Sequence, residues 1–106
     1  MVRILLADDH PLTRSGLAAW IAKEEGMQLV AETEDGESAW SAILELQPDL
    51  AMLDIEMPDC SGIDIASRVL KRGLATNVLI LTAYSAHQYV MASVRAGAKG
   101  FVLKSA

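Results

Sequence analysis

The chain has 106 residues, 52% of them apolar and 22% charged, with one cysteine and a formal charge of −5. That length holds one domain with its own core, while the lone Cys60 excludes a disulfide framework or thiolate zinc site and suits a reducing compartment. Residues 1–60 carry 3 basic and 13 acidic groups and residues 61–106 carry 6 and 1, which leaves no basic stripe for this chain alone to bind nucleic acid.

The first predicted element is a strand over residues 4–7, continuously apolar, which meets Asp8 and Asp9 at once and leaves no signal-peptide core. Pro11 suits the first turn of a helix, Leu17, Trp20 and Ile21 continue it at i, i+3 and i+4, and Gly26 falls where its C-cap is expected. A second strand follows over residues 29–31. Trp40, Ile43 and Leu44 repeat the helical spacing, Pro48 ends that helix, and a third strand over residues 50–53 delivers Asp54. Ala66, Val69 and Leu70 mark a third helix. Its Arg68, Lys71 and Arg72 lie toward the C-terminus, where the helix dipole favours cations, and Gly73 is the expected C-cap.

Residues 73–94 carry no formal charge, and length alone would permit a membrane span. Thr76, Asn77, Thr82, Ser85, His87, Gln88 and Ser93 interrupt the stretch, and only residues 78–81 are densely apolar. It divides into a fourth strand, a turn, and a helix carrying Ala86, Val90 and Val94, opened by a Ser85–Gln88 capping box and closed near Gly97. No membrane association is expected. Residues 101–103 form a fifth strand. Runs that stay apolar where an exposed sheet would alternate suit strands buried on both faces, so the order βαβαβαβαβ predicts an α/β fold with a mostly parallel sheet. Five strands but four helices are present, so a helix covering one face is expected to be missing. The apolar surface left bare would favour self-association, and a homodimer is among the expected partners.

Ligands of an open parallel sheet sit at the carboxyl ends of its strands, where strand order reverses. The first strand ends in Asp8 and Asp9, the third in Asp54, the fourth in Thr82 and the fifth in Lys104. Only the second lacks such a residue, and in the order 2-1-3-4-5 it lies away from the crevice. Three clustered carboxylates repel one another unless a cation neutralises them, and an all-oxygen set of few protein ligands suits Mg²⁺ beside a phosphate. One carboxylate could then attack a phosphoryl group, with an ammonium and a hydroxyl to meet the developing charge. Taken singly, each residue has an ordinary explanation: a helix-capping Asp pair, a strand Thr, a solvated Lys. Four strand ends carrying matched groups do not.

The motifs Asp8-Asp9, Leu53-Asp54-Ile55-Glu56-Met57-Pro58 with Gly62, Leu81-Thr82-Ala83 and Gly100-Phe101-Val102-Leu103-Lys104 resemble the receiver domain of two-component response regulators, in order and spacing along the whole chain. The opening Ala7-Asp8-Asp9-His10-Pro11 is most similar to the NarL/FixJ (LuxR-type) subfamily. The resemblance implies a doubly wound, flavodoxin-like sheet of five parallel strands in the order 2-1-3-4-5. It implies Asp54 as phosphoacceptor, Asp9 and Asp54 as direct Mg²⁺ ligands, Asp8 as a water-mediated one, and Glu56 through its backbone carbonyl. Lys104 would pair with the phosphoryl group, Thr82 would hydrogen-bond it, Ala83 would leave room for it, and Phe101 occupies the aromatic switch position. A sensor histidine kinase is the implied phosphodonor, the setting is cytoplasmic, and residues 1–106 form one receiver domain. The family's last helix and helix-turn-helix output domain, which would contact DNA, are outside this chain.

Two other functions are weighed. A haloacid-dehalogenase-type phosphatase also uses Mg²⁺ and an aspartyl phosphate, and Asp54-Ile55-Glu56 mimics its Asp-x-Asp motif. That family places its nucleophile first and its acidic pair last, the reverse of the order here. A degenerate receiver acting as a binding module would not need Asp8, Asp9, Asp54, Thr82 and Lys104 intact. The chain is therefore read as a phosphoryl acceptor with at most slow self-dephosphorylation and not as an enzyme. His10 reads as a helix-entry residue, with a role near the metal as the alternative, His87 as solvated and Cys60 as a bystander thiol.

Overall fold

Three strands with almost wholly buried side chains organise the molecule. In a computed structural model that describes residues 1–82 and 95–103, with side chains described through residue 100, β1 (Val2–Ala7), β3 (Leu50–Asp54) and β4 (Asn77–Thr82) run side by side. With β2 (Met27–Thr33) and β5 (Gly100–Leu103) they form one five-stranded sheet, every pair parallel, in the order β2-β1-β3-β4-β5. The expected strand order is the observed one.

Alternation along each strand sorts the core onto two faces. Leu5, Ala7, Ala51, Leu53, Val78 and Ile80 pack with Ala39 and Ile43 of α2 (Gly36–Leu46) and with Ile65, Ala66 and Val69 of α3 (Gly62–Arg72). Ile4, Leu6, Met52 and Leu81 face the other way, onto Ile21, Leu17 and Ala18 of α1 (Pro11–Lys23). The continuous apolar runs of β1, β3 and β4 follow from this two-sided burial.

Burial on both faces does not extend to β2, whose residues are mostly half-buried. It is the sheet edge and pairs with β1 alone, so it keeps one flank in solvent. Trp20 also departs from expectation, being 51% exposed. The inward stripe of α1 is Leu17, Ala18 and Ile21, and Trp20 falls beside it on the helix circumference. Gly26 lies past the C-cap of α1, which is Glu24, and with φ of +84° it makes the turn into β2. Gly73 caps α3 in the left-handed region as expected, and Lys71 and Arg72 occupy that helix's last turn. The expected fourth helix with its Ser85–Gln88 box, His87 and Ala83 lie outside the described residues, as does Lys104. No helix among the described residues is long and apolar enough to cross a membrane.

The N-terminus of α2 gives the fold a pH dependence. Asp35 accepts hydrogen bonds from the Ser38 backbone N–H at 2.7 Å and from the Ser38 hydroxyl at 3.0 Å. These bonds hold its carboxyl below the usual carboxylate value, the backbone bond contributing most. The folded state therefore favours the ionised form, so the contribution is complete above the unfolded value of about 3.9 and is lost as pH falls through the depressed folded value. Asp35→Asn keeps a capping oxygen without the titration. Urea midpoints measured from about pH 6 down to pH 2.5 should fall less steeply for this variant than for the parent chain. Parallel curves would show that Asp35 contributes nothing to acid sensitivity.

Candidate functional site

The carboxyl edge of the sheet collects the acidic groups. Leu5 and Leu6 of β1 pair with Ala51 and Met52 of β3, so the two strands run out together. Asp8 and Asp9 follow β1 while Asp54 closes β3, with Asp8 0% and Asp54 3% exposed. Thr82 ends β4 and is fully buried. It pairs in register with Leu103, the last residue of β5. The backbone of Phe101 lies in β5 opposite Ile80.

Local backbone geometry fixes the carboxylates. Asp8 N–H donates to the Thr33 carbonyl of β2 at 3.1 Å, and Asp8 Oδ1 accepts the His10 N–H at 2.9 Å. This places the Asp8 carboxylate at the start of α1, where partial positive charge favours it. Arg14, one turn into α1, donates from Nη1 to the Asp8 carbonyl at 2.8 Å. Its guanidinium also lies 3.7 Å from Glu32 and 3.6 Å from Glu34 at the end of β2. Asp54 Oδ1 accepts the Glu56 N–H at 3.3 Å, while the Glu56 side chain is exposed. The Ile55 N–H donates to the Leu81 carbonyl at 3.0 Å, so β3 and β4 stay joined past Asp54.

Gly62 lets the following loop close against Asp54. Its N–H donates to the Ile55 carbonyl at 3.3 Å. A methyl group there would overlap the Asp54 carbonyl oxygen and sit 3.0 Å from Leu53 Cβ. Only glycine permits that approach.

His10 lies beside the carboxylates, in keeping with the alternative that the sequence leaves open for it. As well as entering α1, it places Nδ1 3.2 Å from Asp8 Oδ1, 3.1 Å from Asp9 Oδ1 and 3.5 Å from Asp54 Oδ2. Its adjacency to Asp9 and to Pro11, which starts the helix, was the available signal. Arg14 was missed because nothing local ties it to the turn before its helix.

The donor set fits a divalent cation. Asp8, Asp9, His10 and Asp54 each offer an atom, and these atoms lie within 4.8 Å of one another. Among the described residues no group donates a hydrogen bond to the buried Asp9 Oδ1, although His10 Nδ1 lies nearby. Hard carboxylate oxygens at the mouth of a parallel sheet suit Mg²⁺. An open groove of about 440 Å³ lined by Asp9, Glu34, Asp35, Pro58 and Asp59 adjoins the cluster. Cys60 sits in the loop after Asp54. Burial pushes its thiol up to about 11, opposed by Arg68 and reinforced by Asp59, so the nucleophilic thiolate is scarce at neutral pH.

Comparison with known proteins agrees with this fold. The response regulator receiver domain family matches residues 4–106. The chain is 38% identical over 104 residues to the transcriptional regulatory protein YvfU of Bacillus subtilis strain 168, covering 98% of this chain and 52% of that protein. It is 36% identical over 106 residues to the oxygen regulatory protein NreC of Staphylococcus haemolyticus, covering 99% and 49%. It thus spans about half the length of these relatives. Among solved structures, it is similar to the signal receiver domain of the response regulator NarL from Mycobacterium tuberculosis. The TM-score is 0.96 at 35% identity, with 99% of this chain and 85% of that one covered.

Proposed function

The chain belongs to the response regulator receiver domain family, and from that premise we propose that Asp54 accepts a phosphoryl group from a sensor histidine kinase in the cytoplasm. The observation that carries this reading is the convergence of buried Asp8, Asp54 and Thr82 with Asp9 at one sheet edge. A carboxylate oxygen of Asp54 attacks phosphorus, a P–O bond forms, and the P–N bond to the donor histidine breaks. Hydrolysis of the acyl phosphate later restores the carboxylate. A bound Mg²⁺ supplies charge neutralisation for the phosphoryl oxygens. Asp9 and Asp54 would hold it, with Asp8 contributing through water and Glu56 through its backbone carbonyl, as the family resemblance implies. Thr82 and Lys104 meet the phosphoryl oxygens, Ala83 admits the group, and Phe101 repacks with the modified state. The output is transcription, through a DNA-binding domain outside residues 1–106. Helical-transcription-factor relatives named as transcriptional regulators support that assignment, and the order of the acidic motifs disfavours the phosphatase reading.

The test is exposure to acetyl phosphate with Mg²⁺, followed by intact mass. One added phosphate is expected, and none in EDTA. Mg²⁺ binding should also raise the melting temperature, because the cation relieves repulsion among Asp8, Asp9 and Asp54. At a concentration of about 100 Kd the gain is about 2.7 kcal/mol. Asp9→Ala should remove most of the shift and Asp8→Ala less. No shift in the parent chain would leave only a binding module.

A further inference from the structure

The loop that follows Asp54 is fastened to a helix it does not lead into. The first N–H groups of α2 find partners in that loop, 22 positions further along the chain. Gly36 N–H donates to the Pro58 carbonyl at 3.2 Å, and Glu37 N–H donates to Asp59 Oδ1 at 3.1 Å. We propose that Asp59 is a positioning residue for Asp54, holding the acceptor loop against the N-terminus of α2 so that the Glu56 N–H stays at the nucleophile. This rests on the reading of Asp54 as the acceptor.

Backbone conformation singles out the Asp59 side chain. Its φ of +70° lies in the left-handed region, which is costly for a residue with a Cβ. Glycine would adopt that conformation without strain. Aspartate gains over glycine only what its carboxylate does, and here the carboxylate caps an N–H at the positive end of a helix. The helix side is matched to the loop. A Cβ at Gly36 would overlap Cys60 Sγ and lie 2.6 Å from the Cys60 carbonyl oxygen and 2.7 Å from Asp59 Oδ1. Only glycine at the start of α2 admits the loop this closely.

The anchor is firm and the tether is short. Ala39 and Ile43 of α2 are buried against the sheet, and the Glu37 carboxylate lies 3.2 Å from Arg68 Nη1 of α3. Only residues 55–57 separate Asp54 from Pro58. At the near end, the Ile55 N–H is held by the Leu81 carbonyl and the Ile55 carbonyl by the Gly62 N–H. At the far end, the Pro58 carbonyl accepts both the Gly36 N–H and, at 3.0 Å, the Cys60 N–H. Between these fixed points the Glu56 N–H donates to Asp54 Oδ1 at 3.3 Å. Release of the far end lets Glu56 swing and takes from the carboxylate a donor that orients it.

Three variants at position 59 separate capping from charge and from strain. Asp59→Asn keeps a capping oxygen and tolerates the left-handed region but lacks the charge. Asp59→Gly loses the cap and the strain together, and Asp59→Ala loses the cap and keeps the strain. Acyl phosphate formation from acetyl phosphate and Mg²⁺, followed by intact mass, should be about tenfold slower in Asp59→Gly and Asp59→Ala than in Asp59→Asn. Hydrogen exchange at the Glu37 amide should be about fivefold faster in the same two variants and unchanged in Asp59→Asn. A role in stability alone would place Asp59→Gly, freed of strain, beside Asp59→Asn and leave Asp59→Ala slow by itself. That order of rates, equal rates in all three variants, or unchanged Glu37 exchange overturns the proposal while leaving Asp54 as the acceptor. If the parent chain takes up no phosphate, the acceptor reading fails, and this proposal fails with it.

Discussion

Asp54→Asn should take up no phosphate under conditions that place one on each parent chain. The side chain is nearly isosteric, and its Oδ1 can still accept the Glu56 N–H that Asp54 Oδ1 accepts at 3.3 Å. What disappears is the anionic oxygen nucleophile, and an amide cannot replace it. The substitution also removes one charge from a group packed beside Asp8 and Asp9. Loss of acceptance should therefore come with retained folding, within about 1–2 kcal/mol of the parent chain by urea denaturation. Asp8 is the rival acceptor, since it is also buried. Its Oδ1 is already held by the His10 N–H at 2.9 Å, and its backbone is clamped by Arg14. Intact mass and fragmentation of Asp54→Asn and Asp8→Asn separate the two. Phosphate that persists in the first variant and vanishes only in the second would overturn the assignment to Asp54.

Gly62→Ala should damage both the fold and the site, although it swaps glycine for a better helix former. Alanine in a helix is worth up to about 1 kcal/mol over glycine, and no positive φ at Gly62 opposes the exchange. The added methyl would overlap the Asp54 carbonyl oxygen and crowd the Asp54 carbonyl carbon and Leu53 Cβ, each at 3.0 Å. Backbone and a Cβ of the central strand cannot swing aside as a flexible side chain does. The end of β3 must shift, and overpacking of this kind costs about 1–3 kcal/mol. A displacement of about 1 Å at the nucleophile can lower the phosphorylation rate on the order of 100-fold. Gly73→Ala is the contrast. Its φ of +65° makes the exchange costly, yet among the described residues nothing lies within 4 Å of the new methyl. It should lose about 1–2 kcal/mol of stability and keep its rate of acyl phosphate formation. Equal rates for both variants would show that the approach of Gly62 to Asp54 does not position the acceptor.

The sequence by itself determined whatever depends on near neighbours along the chain. Residues 4–7, 50–53 and 78–81 are continuously apolar, and a strand that is apolar on both sides has to be buried on both faces. The sheet confirms it for β1, β3 and β4. Polar groups at the ends of such runs must emerge at one edge of a parallel sheet, which is why Asp8, Asp9, Asp54 and Thr82 could be named beforehand. The tertiary structure decided what depends on distant parts of the chain. Strand order leaves β2 with one neighbour and so half-buried, which no feature of its own residues announces. The packing of α1 on the sheet takes Ile21 inward and leaves Trp20 half in solvent, although both fit the same helical spacing. His10 belongs to the carboxylate cluster because β1 and β3 lie side by side and bring Asp54, 44 positions further on, to within 3.5 Å of its ring. Periodicity reports which side of an element is apolar, but only packing determines which distant groups meet there.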